Sequence, residues 1–285
     1  MEDSRVTLER AKILVTGATG KTGRRLVAHL RQADVDYVAA SRLPDDPKGL
    51  PFDWMDPDGH DRALEGVTGV YVIFPSAGRD PAPLVIDFCR KALGRDVRRI
   101  VLLSGSLLPE GGPYMGQLHT WLRANAPEWA VLRPSWFMQN FTEDFYLATI
   151  RAEGVIYSGA GHGRVAFIDA EDIAKSALGV LTATLPPNRE FILTGPEALN
   201  YDTAAAVISE VSGRQVHHIP LDTDAFIAHL IANGFNEGAA QTLGRMDALI
   251  AQGAEDRITD DVLAASGAAP SSFDAFARAA RQVWA

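Results

Sequence analysis

The first half of the chain alternates short aliphatic runs with longer segments whose apolar residues recur at helical spacing. Five runs are apolar at nearly every position and predict strands: KILVTG, DYVAAS, GVYVIFP, RRIVLLSGS and AVLRP. The segments between them predict helices near 21–33, 59–66, 82–93 and 114–126. Continuous apolar strands indicate burial on both faces, which is typical of a parallel sheet covered by helices. The pattern therefore predicts an α/β fold built on a doubly wound parallel sheet of the Rossmann type.

The pattern changes from Trp136 onward. Three short runs, GVIYSG, RVAFID and EFILTG, predict scattered strands, and the part from Tyr201 onward predicts mostly helices. We therefore expect one domain over 1–150 and a smaller, mostly helical region over 151–285. Some strands and helices of this second region are expected to return to the first domain.

A glycine-rich turn in ILVTGATGKTGRRL separates the first predicted strand from the first predicted helix. Glycines let the backbone turn tightly and let main-chain N–H groups approach a bound group. The helix that follows directs its positive N-terminus to the same place, which favours an anion such as a dinucleotide pyrophosphate. A tight turn without a ligand is the alternative. The expected cofactor contacts in this turn are Gly17, Thr19, Gly20, Lys21, Thr22 and Gly23.

The end of the second predicted strand, VAASR, discriminates between the two nicotinamide dinucleotides. A site for NAD normally carries an acidic residue here, which accepts hydrogen bonds from the ribose. This chain has Ser41 and Arg42 instead, and a guanidinium beside a hydroxyl suits the 2′-phosphate of NADP(H). Lys21 can add a second positive charge, so we expect NADPH/NADP+ as cofactor, the alternative for Arg42 being a solvated strand end. Asp53, in PFDWMDP, is expected either to accept from the adenine amino group or to form a turn.

Composition and charge limit the possible partners. Of the 285 residues, 47% are hydrophobic and 22% are charged, as in ordinary folded domains. The formal net charge of −9 argues against nucleic acid or an anionic membrane as a partner. A single cysteine, Cys89, excludes an internal disulfide and a cysteine-based zinc cluster, so no metal is expected. No apolar stretch approaches the ~20 residues that span a bilayer, and the acidic start lacks a signal-peptide core, so we expect a cytoplasmic protein. For its oligomeric state we expect a monomer or a homodimer.

Five segments, in order along nearly the whole chain, carry a resemblance to a known family: ILVTGATGKTGRRL, FDW followed by DP, VLRPSWFMQNF, FIDAEDIA and EFILTGPEALNY. In them the chain resembles the atypical short-chain dehydrogenases/reductases of the NmrA-like group, particularly the bacterial branch called ergot-alkaloid-biosynthesis-like. The resemblance implies a Rossmann core that binds NADP(H) and a site between that core and the C-terminal region. It also implies that the nicotinamide end of the cofactor is approached by Phe74, Pro75, Ser104 and Pro134.

The chain departs from the pattern of the standard short-chain dehydrogenases, which use Tyr-x-x-x-Lys as proton donor and ribose contact. Tyr114 is followed four residues later by Leu118, and no lysine occurs in 92–174. The candidates for catalysis are therefore His119, Tyr114 and Ser104. For His119 the alternative is a structural or solvent-facing histidine, and for Tyr114 a position at a helix start.

Large aromatic residues are concentrated in SWFMQNFTEDFY, directly after the fifth predicted strand. Such a surplus of rings beside a cofactor favours a flat, apolar substrate such as a polycyclic aromatic. The expected substrate contacts are Ser106, Trp136, Phe137, Met138, Asn140 and Phe141. The alternative is that Phe137, Phe141 and Phe145, at helical spacing, are a core stripe.

Three functions fit these observations. The first is an NADPH-dependent reductase of a natural-product ketone or imine; because relatives act on ketones of angucycline-type polyketides, including one of simocyclinone biosynthesis, an aromatic polyketide ketone is the specific expectation. The second is a redox sensor that binds NADP(H) and a protein partner without catalysis, as NmrA does. The third is a reductase of a quinone or a carbon–carbon double bond. We favour the first, because hydride transfer needs mainly the alignment of cofactor and acceptor.

Overall fold

The computed structural model describes residues 11–74 and 80–284. The chain folds into two compact units, each assembled from three separate stretches. The first unit contains 1–134, 170–193 and 261–268, and the second contains 135–169, 194–260 and 269–285. Residues 135–150, which the sequence-based division places in the first domain, thus lie in the second unit.

The first unit is built on a seven-stranded sheet in which all neighbouring strands are parallel. Its strands are β1 (Lys12–Thr16), β2 (Asp36–Ser41), β3 (Gly49–Pro51), β4 (Gly69–Ile73), β5 (Arg99–Leu103), β6 (Glu128–Pro134) and β8 (Arg189–Leu193), β7 being part of the second unit. The spatial order is β3-β2-β1-β4-β5-β6-β8. This order confirms the predicted Rossmann-like α/β fold. The order in which successive strands are added to the sheet changes direction between β1 and β4. This change opens a crevice at the carboxyl ends of these two strands.

Helices cover both faces of this sheet because alternate strand residues point in opposite directions. The helices are α1 (Lys21–Gln32), α2 (Pro57–Ala63), α3 (Ala82–Leu93), α4 (Met115–Asn125), α6 (Ala170–Thr182) and α10 (Asp261–Ser266). Leu14, Val70 and Ile100 pack with Phe88 of α3 and Leu118 of α4. On α1, apolar residues at helical spacing are buried as the sequence predicts, and α1 packs against α6.

The second unit is mostly helical, as expected from the sequence after Tyr201. It contains α5 (Phe145–Glu153), α7 (Tyr201–Ser212), α8 (Thr223–Ala232), α9 (Glu237–Ala251), α11 (Phe273–Ala280), two 3₁₀ turns (Met138–Phe141 and Arg281–Val283), and the strands β7 (Val155–Ser158) and β9 (His217–Pro220). The two strands pair in parallel. The prediction of a strand in RVAFID is wrong. This segment forms only the isolated bridges Phe137–Ile168 and Val165–Leu199, because each neighbouring segment pairs with it at a single residue.

Two of the short runs predicted after Trp136 do form strands. GVIYSG contains β7, whereas EFILTG contains β8, which returns to the edge of the main sheet beside β6. Among 11–74 and 80–284, none of the helices combines the length and apolarity that crossing a bilayer requires.

Candidate cofactor site and active site

The turn between β1 and α1 has the geometry that a pyrophosphate site needs. Gly17 has a φ of +62°, and the Gly20 N–H donates to its carbonyl at 2.9 Å. A Cβ on Gly23 would lie 2.3 Å from the Gly17 carbonyl oxygen, so only glycine permits this approach. Thr19 and Gly20 are exposed, and α1 carries no acidic residue in its first turn. An anion can therefore reach the helix N-terminus without meeting a like charge.

The turn residues divide between the surface and the interior. Lys21 is half-buried in the first turn of α1, where its carbonyl accepts from Arg25 at 2.8 Å. The Thr22 side chain is buried and accepts from the Tyr71 hydroxyl at 3.3 Å. The Thr22 hydroxyl thus has a partner inside the fold, and its predicted cofactor contact is untested.

A cleft of about 350 Å³ lies beside this turn at the end of β2. It is lined by Ala18, Thr19, Arg24, Val27, Ala28, Arg31, Ala39, Ser41, Pro44, Asp45, Asp46 and Pro47. Ser41 is 5% exposed, and its hydroxyl has no hydrogen-bond partner in the described part of the chain. A buried hydroxyl without a partner is costly, so a ligand that bonds to it gains affinity. The adenosine ribose of a dinucleotide has the polar groups that fit this position.

Two arginines that the sequence interpretation overlooked, Arg24 and Arg31, line this cleft, whereas Arg42 is exposed next to it. They lie seven residues apart on α1, and this helical spacing on the strand-facing helix is the signal that could have revealed them. The Arg31 guanidinium pairs with Asp46 at 2.5 Å, and Asp46 also accepts from the Tyr37 hydroxyl at 3.2 Å. Asp46 is thus bonded, whereas the Ser41 hydroxyl has no partner within 11–74 and 80–284.

Asp53 lies on the surface after β3, where it organises a turn. Its carboxylate accepts from the Met55 N–H at 2.9 Å, and its carbonyl lies 3.2 Å from the Nε2 of buried His60. These bonds fit the turn alternative, and the predicted adenine contact remains a prediction.

The carboxyl ends of β4, β5 and β6 bring together most residues expected near the nicotinamide. Phe74 is nearly buried at the end of β4, while Pro75 lies outside the described residues. Ser104 is half-buried, and its N–H donates to the Leu132 carbonyl at 2.8 Å. Ser106 is buried and donates through its N–H to the Pro134 carbonyl at 2.9 Å. The parallel pairing of β5 with β6 thus continues beyond the strand end to Ser106.

His119 lies inside the first unit on α4. Its side chain is 3% exposed, its ring packs 5.6 Å from that of Trp129, and its Nδ1 is 3.9 Å from the Glu190 carboxylate. Burial lowers the pKa of His119 and outweighs the nearby carboxylates of Glu110 and Glu190, which raise it. A buried, neutral imidazole has no proton to spare as an acid near pH 7. The burial of His119 fits the structural alternative, and its predicted catalytic role remains a prediction.

Tyr114 is at the N-terminal boundary of α4, as the preceding proline indicates. It is 46% exposed and has a φ of +55°, an uncommon conformation for a residue with a Cβ. Leu118, which replaces the lysine of the standard pair, is buried. The phenol therefore has no ammonium at the position from which the standard pair activates it.

The aromatic segment after β6 begins the second unit. Met138 and Phe141 are buried in its core, where the Phe141 ring lies 5.1 Å from that of Tyr146 and its carbonyl accepts from the Trp284 indole at 2.7 Å. The chain leaves the 3₁₀ turn before α5 begins at Phe145, so no single helix carries the predicted stripe. Trp136, Phe137 and Asn140 are only half-buried. These three side chains have surface left for a substrate, whereas Met138 and Phe141 match the core alternative.

The second unit also buries acidic and phenolic groups that the sequence interpretation did not select. The hydroxyls of Tyr146 and Tyr201 are 3.1 Å apart, and Asp247 accepts from the Gly159 N–H at 2.8 Å. Burial raises the pKa of Asp247 to about 7. The sequence gives no signal that Asp247 is buried, because an aspartate within a helical segment has the same appearance as one that faces solvent.

The chain is similar to known proteins over nearly its whole length. Residues 13–82 match the model of the NAD dependent epimerase/dehydratase family. An uncharacterized oxidoreductase of Bacillus subtilis, YesF, is 37% identical over 97% of this chain and 98% of its own. Agroclavine dehydrogenase of Claviceps fusiformis is 36% identical over 95% and 98%. Among solved structures, the NADP(H) complex of the triphenylmethane reductase of Citrobacter sp. superposes with a TM-score of 0.77 at 22% identity, covering 94% of this chain and 99% of its own.

Proposed function

Because the chain belongs to the family of NAD(P)-binding oxidoreductases that includes YesF and agroclavine dehydrogenase, we propose that it is an NADPH-dependent reductase of a polycyclic iminium ion. An iminium ion is a C=N bond whose nitrogen is protonated or alkylated. The cofactor part of this proposal is supported by the cleft at the end of β2, where Ser41 stands in place of the acid that NAD favours and Arg24 and Arg31 of α1 line the same cleft.

The observation that carries the acceptor class is the burial of His119, which lowers the pKa of its imidazole. Reduction of a ketone consumes one hydride and one proton, and the proton must come from an acid. Reduction of an iminium ion consumes only the hydride: a C–H bond forms, the C=N π electrons pass to nitrogen, and NADPH becomes NADP+. A chain without the Tyr-x-x-x-Lys pair, and with His119 buried, is suited to the acceptor that needs no proton.

The binding surface supports a flat substrate with apolar rings. Trp136 and Phe137 keep part of their surface exposed, and Asn140 offers an amide for orientation. Aromatic faces attract cations as well as apolar rings, so they suit an iminium ion. The name of agroclavine dehydrogenase points to a nitrogenous natural product for that relative, and we extend this substrate class to the present chain.

The ketone of an aromatic polyketide is the second candidate acceptor. The half-buried Ser104 hydroxyl, at the edge where the nicotinamide is expected, favours it because a hydroxyl can donate to a carbonyl oxygen and relay a solvent proton. This route makes the rate depend on solvent acidity, and that dependence separates the two candidates.

The test compares two acceptors of matched shape, N-methyl-dihydroisoquinolinium and α-tetralone, by the loss of NADPH absorbance. We expect turnover of the iminium ion at a rate that is flat with pH, and weak or no turnover of the ketone. Turnover of the ketone alone, falling as pH rises, would overturn the proposed acceptor class. Tight NADPH binding with no turnover of either acceptor, or of a quinone, would instead support a sensor.

A variant of His119 serves as the matched control for the proton. His119→Gln keeps a polar planar side chain at a similar size, and we expect it to leave iminium turnover within about threefold of wild type. A loss of about 10²-fold or more in iminium turnover would show that the imidazole is needed for a reaction that consumes no proton, and it would contradict the argument from its burial.

A further inference from the structure

A dinucleotide bound at the turn after β1 has to extend along the carboxyl edge of the sheet. Its adenosine half fits the cleft at β2, so its other half runs across β4 toward β5, on the opposite side of β1. Neighbouring strands are about 4.8 Å apart, so the turn that follows β5 lies within reach of the nicotinamide. This turn, Ser104–Ser106, is therefore expected to contact the nicotinamide, an inference that rests on the proposed cofactor site.

The turn is fixed by a buried arginine on the neighbouring strand. Arg133, on β6, is 7% exposed and donates to the Ser106 carbonyl at 2.7 Å and to the Gly105 carbonyl at 3.4 Å. Its remaining N–H groups pair with the Glu190 carboxylate of β8 at 2.6 Å. The Gly105 and Ser106 carbonyls lie just beyond β5; the Gly105 carbonyl also accepts from the Leu108 N–H at 3.0 Å, and the Arg133 guanidinium is the group that contacts both carbonyls.

Only a planar fork can make these bonds together. A guanidinium has five N–H donors in a fixed plane, whereas the ammonium of a lysine is a point charge on a flexible stem. Two successive carbonyls and a carboxylate therefore hold Arg133, and Arg133 holds the turn. We propose that Arg133 is a positioning residue: through the Ser104–Ser106 turn it sets the position of the nicotinamide ring for hydride transfer, without touching the cofactor itself.

The same chain contains a matched arginine at the opposite end of the sheet. Arg99, at the start of β5, is 8% exposed and pairs with Glu128 at 2.6 Å. One of its terminal nitrogens lies 2.7 to 3.1 Å from three carbonyl oxygens after or within α6, those of Val180, Leu181 and Ala183. Burial, acidic partner and carbonyl acceptors are alike, but Arg99 is at the amino edge, away from the cofactor. A substitution of Arg99 therefore serves as the control that separates a positioning role of Arg133 from a purely structural one.

The experiment compares Arg133→Lys and Arg99→Lys with the wild-type enzyme. For Arg133→Lys we expect an NADPH Kd within about twofold of wild type and a kcat about 10- to 100-fold lower, since an ångström of misplacement can cost about 10²-fold. The isotope effect with NADPH deuterated at the transferred position should rise, because hydride transfer becomes slower than product release. For Arg99→Lys we expect normal kcat, normal isotope effect and a lowered Tm. Equal losses of kcat in both variants would overturn the proposal.

A second measurement keeps the proposal testable without turnover. Amide hydrogen exchange of residues 104–107 is followed with and without NADP+, in wild type and in both variants. We expect NADP+ to protect these amides in wild type and Arg99→Lys, and to protect them less in Arg133→Lys. If the wild type reduces no acceptor but this pattern holds, the proposed function fails and the positioning of the turn stands. Unchanged protection in Arg133→Lys would overturn the inference.

Glu190→Gln is the variant to use if Arg133→Lys does not fold. Glu190 is half-exposed on β8 and pairs with Arg133 without bonding to the turn. Its replacement keeps the carbonyl bonds but removes the charge that orients the guanidinium, so we expect a smaller fall in kcat in the same direction. No fall in kcat, together with unchanged exchange at 104–107, would contradict the proposal.

Discussion

We expect one side chain, Ser41, to have the most direct effect on cofactor preference. Replacing it by aspartate places a carboxylate in the cleft at the end of β2, where the 2′-phosphate of NADPH is expected. Ser41 is 5% exposed, so bulk water screens the new charge poorly. We expect Ser41→Asp to reverse the preference from NADPH to NADH.

The magnitude follows from Coulomb's law. Two unit charges about 4 Å apart repel by about 4 kcal/mol at an effective dielectric constant of about 20. This weakens NADPH binding by roughly 10³-fold, since each 1.4 kcal/mol is about tenfold in Kd. NADH has no 2′-phosphate, and its ribose hydroxyl can donate to the new carboxylate at a gain of about 1 kcal/mol.

The assay is a fluorescence titration of both cofactors into wild type and variants at fixed ionic strength. Ser41→Ala is the control: it removes the hydroxyl without adding charge, so NADPH should lose about tenfold and the free protein should gain stability. Arg24→Ala should weaken NADPH by about 10- to 100-fold, whereas Arg42→Ala, outside the cleft lining, should have less effect. Equal wild-type affinities for the two cofactors, or equal losses of both in Ser41→Asp, would refute the assignment.

Three further properties are testable. Gly23→Ala should abolish NADPH binding and lower the Tm, because its methyl would lie 2.3 Å from the Gly17 carbonyl; Gly238→Ala, with 3.6 Å to its nearest neighbour, is the control. Burial lowers the pKa of His119 from 6.5, so the unfolded chain binds the proton more readily and stability falls as the pH drops below about 6.5; His119→Gln should reduce this fall, as followed by Tm between about pH 8 and pH 5. Burial raises the pKa of Asp247 to about 7, so its contribution to stability is full below about pH 4 and is lost as the pH rises through 7. Above that pH, Asp247→Asn should raise the free energy of unfolding by up to about 4 kcal/mol, which is measured as a higher Tm. A fall of Tm toward about pH 5 in His119→Gln as large as in wild type, or an unchanged alkaline Tm in Asp247→Asn, would contradict the respective argument.

The sheet could be predicted from the sequence because its strands are buried on both faces. Residues such as Leu14 and Ile100 have to be apolar whichever way they point, so the signal is continuous and strong. RVAFID is equally apolar, yet its neighbours meet it only at single residues, and hydrophobicity does not report how many partners a segment has. The same limit applies to the aromatic segment, in which Phe141 and Trp136 look alike but only Phe141 is fully buried.

The candidate site was predictable where backbone geometry dictates residue type. At Gly23 a side chain cannot fit, so the glycine is visible in the sequence. Ser41 was visible through the absence of an expected acid. Arg133 was not, because its role depends on carbonyls 27 and 28 residues away along the chain. Contacts of this kind are created by the pairing of β5 with β6, which no local pattern encodes.

The proposed acceptor class and the ion pair of Arg133 with Glu190 are connected by charge. The standard Tyr-x-x-x-Lys pair places an ammonium near the reacting carbon, where it stabilises the alkoxide formed from a ketone but repels an iminium ion. In this chain the lysine is replaced by buried Leu118, and the positive charge of Arg133 is paired with Glu190 at 2.6 Å. The absence of that lysine and the pairing of Arg133 leave little unpaired positive charge from these two positions at the carboxyl edge of β5 and β6. A cationic acceptor can therefore approach the hydride at a lower electrostatic cost than it would meet beside the standard pair.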